Sequence, residues 1–66
     1  MTPYAARIRF AEVMALENAK GERAKAAKAF IKEAVEEIRA GRVEPGDLRE
    51  ITDTVLRALT LSWTYF

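Results

Sequence analysis

Residues 24–38 read AKAAKAFIKEAVEEI, and the spacing of the apolar residues in this stretch decides the fold. When the stretch is projected at about 100° per residue, seven of its apolar side chains fall within an arc of roughly 140°. They are Ala24, Ala27, Phe30, Ile31, Ala34, Val35 and Ile38. One apolar face with polar residues opposite it indicates an amphipathic helix. We predict this helix from about Glu22 to Ala40, with Gly41 as its stop signal.

A first helix is predicted before this stretch. Thr2 and Pro3 supply an N-cap and a proline at the first helical position. The first helix is therefore expected from about Pro3 to Ala19, and Gly21 suggests a left-handed cap after it. A single helix running through Gly21 is the competing layout, because glycine inside a helix costs only about 1 kcal/mol. We favour a turn, since the apolar face of the second helix does not continue into the first.

A third helix is expected to begin at Glu44-Pro45, and its end is left open after Leu61. Its predicted buried face is broad and comprises Leu48, Ile51, Val55, Leu56, Leu59, Trp63 and Phe66. The sequence therefore predicts an all-α fold, a single domain over residues 1–66 in which three helices form an antiparallel bundle. The helix-start signals in the first residues also lead us to expect a complete chain.

The composition excludes the usual covalent and metal supports of a small domain. The chain has 66 residues, no Cys and no His, which removes disulfides and nearly every structural zinc site. A chain of this length buries only about 60% of its unfolded surface, so its stability alone is marginal. We therefore expect oligomerisation, or docking on a larger protein, to complete the bundle. The absence of Gln and the single Asn18 fit either a thermophile or a GC-rich genome.

The first helix and the C-terminal tail carry apolar residues that the chain itself has difficulty covering. In the first helix they point nearly all round the axis, and such a helix is usually buried on every side. In the tail, three of the last four residues are aromatic, although a chain end normally frays. We expect a non-enzymatic structural or adaptor protein that self-assembles or docks on a larger protein through these regions. The candidate interface residues are Tyr4, Phe10, Val13, Met14, Leu61, Trp63, Tyr65 and Phe66.

The formal net charge is +1, but the two halves of the chain differ in sign. Residues 1–32 carry seven basic and three acidic side chains, a balance of +4. Residues 33–66 carry four basic and seven acidic side chains, a balance of −3. Such halves favour antiparallel packing within one chain and, equally, a head-to-tail contact between copies.

A row of basic residues on the second helix supports an alternative function in nucleic-acid binding. Phosphate backbones bind such a row through counterion release, without reading the base sequence. A small viral or regulatory DNA-binding protein would fit this pattern. The simpler interpretation is a solvated helix face, since a nucleic-acid-binding domain normally has a more basic overall balance. The candidate residues are Arg23, Lys25, Lys28 and Lys32.

The residue inventory argues against catalysis and against a cofactor. There is no His for acid–base work near neutral pH and no Cys nucleophile. Ser62 is the only Ser and has no base that we can place beside it. The three glycines are isolated, so no phosphate-binding loop is formed. We expect no catalytic residues, no metal site and no cofactor.

Membrane contact is a third option for the tail, because Trp63 and Tyr65 are residue types that sit at the level of lipid headgroups. The spacing of Trp63 and Phe66 continues the face of Leu56 and Leu59, which favours a core or a protein interface instead. No segment approaches the ~20 apolar residues that span a bilayer, and the first residues do not resemble a signal peptide. We expect the protein in the cytoplasm or in a virus particle.

Overall fold

A computed structural model of the chain describes residues 1–16 and 20–63. Within them the chain forms three α-helices and one short 3₁₀ turn, which confirms the predicted all-α, three-helix fold. The helices are α1 (Pro3–Met14), α2 (Lys20–Arg39) and α3 (Leu48–Trp63), and the 3₁₀ turn spans Pro45–Asp47. None of the helices in this part of the chain has the length and apolar content needed to cross a membrane.

The predicted start of α1 is confirmed. Thr2 is the N-cap, and its hydroxyl oxygen accepts a hydrogen bond from the backbone N–H of Ala5 at 3.1 Å. This bond satisfies one of the N–H groups that the first turn of a helix leaves without an intrahelical partner. Pro3 follows at the first helical position, where its missing N–H costs nothing.

The predicted end of α1 is wrong. The helix ends at Met14, not near Ala19, and Ala15 is its C-cap residue. Gly21 does not form a left-handed cap but lies in the first turn of α2. A glycine there costs a helix at most about 1 kcal/mol, which the packing of the long α2 that follows outweighs.

The turn after α2 has the geometry that Gly41 predicts. Gly41 has φ of 74°, and its N–H donates to the carbonyl oxygen of Ile38 at 3.1 Å. The N–H of Arg42 donates to the carbonyl oxygen of Glu37 at 3.0 Å. These two bonds make a Schellman motif, in which the residue at the Gly41 position must adopt a left-handed conformation. The Arg42 side chain also forms an ion pair with Glu37, and its hydrogen bond lowers the pKa of the Glu37 carboxyl.

The start of the third helical segment is also confirmed. Glu44 is the N-cap residue, with φ of −62° and ψ of 139°, and Pro45 opens the 3₁₀ turn. The N–H of Asp47 donates to the carbonyl oxygen of Glu44 at 2.9 Å, and α3 continues from Leu48. The acidic side chains of Asp47 and Glu50 lie near this N-terminal end, where the helix dipole favours negative charge.

Side-chain contacts between the helices define an up-down-up bundle. Arg9 of α1 pairs with Glu33 of α2 at 3.2 Å, and Arg7 of α1 pairs with Glu50 of α3 at 3.1 Å. The first turns of α1 and α3 therefore lie side by side, and α2 runs antiparallel to both. In this way the basic first half and the acidic second half of the sequence contact each other within one chain.

The core contains few large side chains. Phe30 and Ile51 are the largest fully buried residues among those described. Around them Val13 is buried, and Phe10, Ile31, Ile38, Val43, Val55 and Leu61 are partly buried. The remaining fully buried positions are alanines, namely Ala6, Ala27, Ala34 and Ala58. The helices therefore meet largely through small residues.

The predicted buried face of α3 is correct at Ile51, which is fully buried, and at Val55, which packs partly against the core, but it is wrong at Leu48 and Leu56. Ile51, Thr54 and Ala58 are buried, whereas Leu56 is 55% exposed. Thr54 is accommodated because its hydroxyl donates to the carbonyl oxygen of Glu50 at 3.1 Å. The side of α3 that carries Ile51, Thr54 and Ala58 faces the core, and the helix is rotated so that Leu48 and Leu56 lie outside.

The two glycines of the α2–α3 connection provide a matched test of the turn. We expect Gly41→Ala to lower the free energy of unfolding by roughly 1–2 kcal/mol, because alanine must adopt the left-handed conformation. An added Cβ would meet nothing within 4 Å at either Gly41 or Gly46, and only Gly41 has a positive φ. Gly46→Ala should therefore be neutral or stabilising by up to about 1 kcal/mol. Urea unfolding measures both, and equal effects would contradict the assignment of the turn.

Candidate protein-interaction surface

α1 divides its apolar residues between two opposite sides. Ala6 and Val13 are buried, and Phe10 packs partly against the core. On the other side Tyr4 is 68% exposed and Ile8 is 42% exposed. Ala11 and Ala15 are exposed as well. We refer to Tyr4, Ile8, Ala11 and Ala15 as the outer stripe; at 100° per residue they fall within an arc of about 60°, facing away from the core.

The outer stripe has the spacing of a helix–helix seam. Its residues follow one another at intervals of four, three and four positions. Apolar residues repeated at this spacing form the contact line of two helices packed side by side. In this structure α2 and α3 contact the opposite side of α1, so no described part of the chain occupies the seam.

Two sets of ion pairs border the outer stripe. On one edge Arg7 pairs with Glu50, and on the other edge Glu12 accepts a hydrogen bond from Arg9 at 2.7 Å. Arg9 also reaches Glu33 on α2. The hydrogen bond with Glu12, followed by the charge of Glu33, raises the pKa of Arg9. These contacts tie α1 to both neighbours and fix which of its sides faces outward.

The C-terminal end of α1 is held by a side chain from α2. The Arg23 guanidinium donates to the carbonyl oxygen of Leu16 from Nε at 3.1 Å and from Nη2 at 2.6 Å. Nη2 also approaches the carbonyl oxygen of Met14 at 3.5 Å. Carbonyl groups at a helix C-terminus lack intrahelical partners, and an arginine side chain is well suited to satisfy them. Arg23 is thus a structural clamp between α1 and α2.

The interface residues suggested by the sequence lie in different environments. Tyr4 is in the outer stripe and Met14 is 44% exposed beside it, whereas Val13 is 4% exposed and belongs to the chain's own core. Phe10 and Leu61 pack partly against that core. The side chain of Trp63 and all of Tyr65 and Phe66 lie outside the described residues. Among the five residues whose side chains are described, Val13 therefore does not share an exposed surface with Tyr4 and Met14.

Ile8, Ala11 and Ala15 are not among the interface residues predicted from the sequence, although their spacing indicates a shared face with Tyr4. The spacing of positions 4, 8, 11 and 15 can be read from the sequence. It was hidden because a second apolar set, Ala6, Phe10 and Val13, lies on the opposite side of the same helix. The two sets nearly cancel when the hydrophobicity of α1 is summed around its axis.

The basic residues of α2 separate into two groups. Arg23 is engaged by the carbonyl groups at the end of α1. Lys25, Lys28 and Lys32 are exposed and share one side of the helix. Three exposed lysines on one side form a modest positive surface.

A cavity of about 290 Å³ lies between α1 and α2, lined by Arg9, Glu12, Val13, Leu16, Ala26 and Ala29. Its two charged residues, Arg9 and Glu12, bind each other. Among residues 1–16 and 20–63 there is no group of three acidic, histidine or cysteine side chains that could hold a metal ion.

Comparison with protein-family models, with curated proteins and with solved structures finds no significant match to this chain.

The Arg23 clamp can be tested by truncation. We expect Arg23→Ala to lower the free energy of unfolding by roughly 1 kcal/mol, because its charge-assisted hydrogen bonds to Leu16 are lost at a partly exposed site. Hydrogen exchange should accelerate in α1 more than in α3. Lys25→Ala is the control, since Lys25 is exposed on the same helix. If both variants unfold at the same urea concentration as the unmodified protein, the clamp contributes nothing.

Proposed function

We propose that this chain is a small non-catalytic helical module that works by associating with another protein through the outer stripe of α1. The observation that carries the proposal is the exposure of Tyr4, at 68%, together with that of Ile8 on the same side. Tyrosine is enriched at protein interfaces because it combines a large apolar ring with a polar end.

In the single chain, much of the apolar area of Tyr4 and Ile8 remains in water. Covering Tyr4 and Ile8 is worth on the order of 3 kcal/mol before the costs of association are subtracted. Those costs are smaller when the docking surface is already ordered. The Arg23 clamp and the ion pairs of Arg7 and Arg9 hold α1 in place on the bundle, which supports α1 as a preformed docking element.

The proposal rests on α1 and not on the C-terminal aromatic residues. On α3, Leu56 is 55% exposed, so α3 offers a separate apolar position with exposure similar to that of Tyr4. Leu56 therefore serves as the comparison that distinguishes docking through α1 from nonspecific adhesion of any exposed apolar residue.

Site-specific photo-cross-linking tests the proposed function. A photoreactive phenylalanine analogue is placed at position 4 in one variant and at position 56 in another, within the cells that make the protein. We expect discrete protein adducts, either with further copies of the chain or with another protein, from position 4 and several-fold fewer from position 56. Tyr4 and Leu56 are both mostly exposed, so collision alone would label them equally.

Two results would contradict the proposed function. An absence of protein adducts at position 4 would show that nothing docks on the outer stripe. Adducts confined to position 56 would move the interaction surface from α1 to α3.

Nucleic-acid binding is the second candidate, supported by the exposure of Lys25, Lys28 and Lys32 on one side of α2. If this surface binds a phosphate backbone, affinity for a DNA duplex should fall more than about tenfold when salt is raised from low to moderate concentration. Lys25→Glu with Lys32→Glu should abolish binding and leave the helical content unchanged. Fluorescence anisotropy measures the affinity, and a salt-independent value would eliminate this candidate.

A further inference from the structure

The outer stripe is graded in side-chain size along α1. Its two large residues, Tyr4 and Ile8, lie in the first half of the helix. Of its two small residues, Ala11 lies in the second half, and Ala15 is the C-cap residue directly after the helix, still in a right-handed helical conformation. A surface that is large at one end and small at the other fits a second surface of the same kind when that surface runs in the opposite direction. The stripe is therefore complementary to itself in the antiparallel orientation.

We propose that the partner docked on the outer stripe is a second copy of this chain, with the two α1 helices packed antiparallel about a two-fold axis. Tyr4 then lies against the partner's Ala15, and Ile8 lies against the partner's Ala11. A two-fold axis generates each of these contacts twice, as expected for an isologous dimer. This inference rests on the proposed function, because it assigns the occupant of the same surface.

The parallel orientation is disfavoured by the same gradient of size. It would place Tyr4 against Tyr4 and Ile8 against Ile8 at one end, and alanine against alanine at the other. The bulky pairs would hold the helices apart, and the alanine pairs would then face a gap. Side chains next to a gap lose their packing partners. The antiparallel pairing places one large and one small residue in every layer and leaves no such gap.

The charges beside the stripe permit the antiparallel pairing. A two-fold axis brings the Arg7 edges of the two copies together on one side and the Glu12 edges together on the other. Unpaired charges of one sign would repel each other there. Each chain neutralises its own edges, because Arg7 is paired with Glu50 and Glu12 is paired with Arg9.

The contact between the two α1 helices is small, so we expect the dimer to be weak and reversible. α1 has 12 residues and is therefore about 18 Å long. A pair of such helices buries less area than a standard stable interface. We expect a reversible dimer with a Kd on the order of 0.1 mM. Its mass in solution should rise from 7.4 kDa towards twice that value as the concentration increases.

Single cysteines introduced into this cysteine-free chain report the orientation of the helices. With a rise of 1.5 Å per residue, the two copies of position 11 are offset along the axis by about 4.5 Å and the two copies of position 15 by about 16 Å. We expect a short bismaleimide to cross-link Ala11→Cys efficiently and Ala15→Cys several-fold less. Leu56→Cys, outside the stripe, gives the level of random collision.

The outcomes separate this inference from the proposed function. Equal or stronger cross-linking of Ala15→Cys would overturn the antiparallel orientation. A mass that stays at 7.4 kDa at millimolar concentration would overturn pairing of copies through α1. A dimer whose mass is unchanged by Ile8→Glu would overturn it as well. In either case, adducts of position 4 with a different protein would leave the proposed function standing. Circular dichroism of each variant verifies that the helices are intact.

Discussion

The burial of small residues between the three helices is the constraint on which the rest of the structure depends. Ala6, Ala27, Ala34 and Ala58 are fully buried where the helices meet. Helices that touch through alanine leave little space between their axes, and protein interiors tolerate neither voids nor overlap. Beside these alanines the core also holds Val13 and Ile51, whereas Tyr4 and Ile8 of α1 and Leu48 and Leu56 of α3 lie at the surface.

α1 shows the consequence of this constraint most clearly. It contributes only Ala6 and Val13 as buried residues, so apolar burial alone ties it weakly to the other helices. Polar contacts supply further connections, through Arg7 to α3, Arg9 to α2, and Arg23 back to the end of α1. Exposed ion pairs contribute little stability individually, but their arrangement around α1 determines its rotation. That rotation places Tyr4 and Ile8 in solvent.

The helix boundaries that are set by hydrogen bonds between residues close in sequence were predicted correctly from the sequence. The Thr2 cap, the left-handed Gly41 and the start at Glu44 each involve hydrogen bonds within a few positions. The end of α1 was missed because Arg23, seven residues beyond Leu16, satisfies the carbonyl groups there. A contact of this kind depends on how two helices pack and leaves no local pattern to read.

The surface was harder to predict than the fold, for two physical reasons. Hydrophobicity ranks Leu56 above Ala58, but Ala58 is fully buried and Leu56 is 55% exposed, because the two residues lie on opposite sides of α3. From the sequence, the opposite charges of the two chain halves fit a contact within one chain and a contact between copies equally well. The ion pairs that Arg7 and Arg9 form in the structure show that pairing within the chain occurs. Both outcomes depend on helix rotation, which a composition or a periodicity does not specify.

A single chain leaves the outer stripe of α1 in solvent. The most direct measurement is the NMR relaxation of isoleucine methyl groups in the presence of a soluble paramagnetic probe, at a protein concentration where the chain is a monomer. We expect the Ile8 methyl groups to relax rapidly and those of Ile51, which is fully buried, to remain shielded. Equal shielding of Ile8 and Ile51 in the monomer would contradict the account, because it would place the outer stripe inside the chain's own fold.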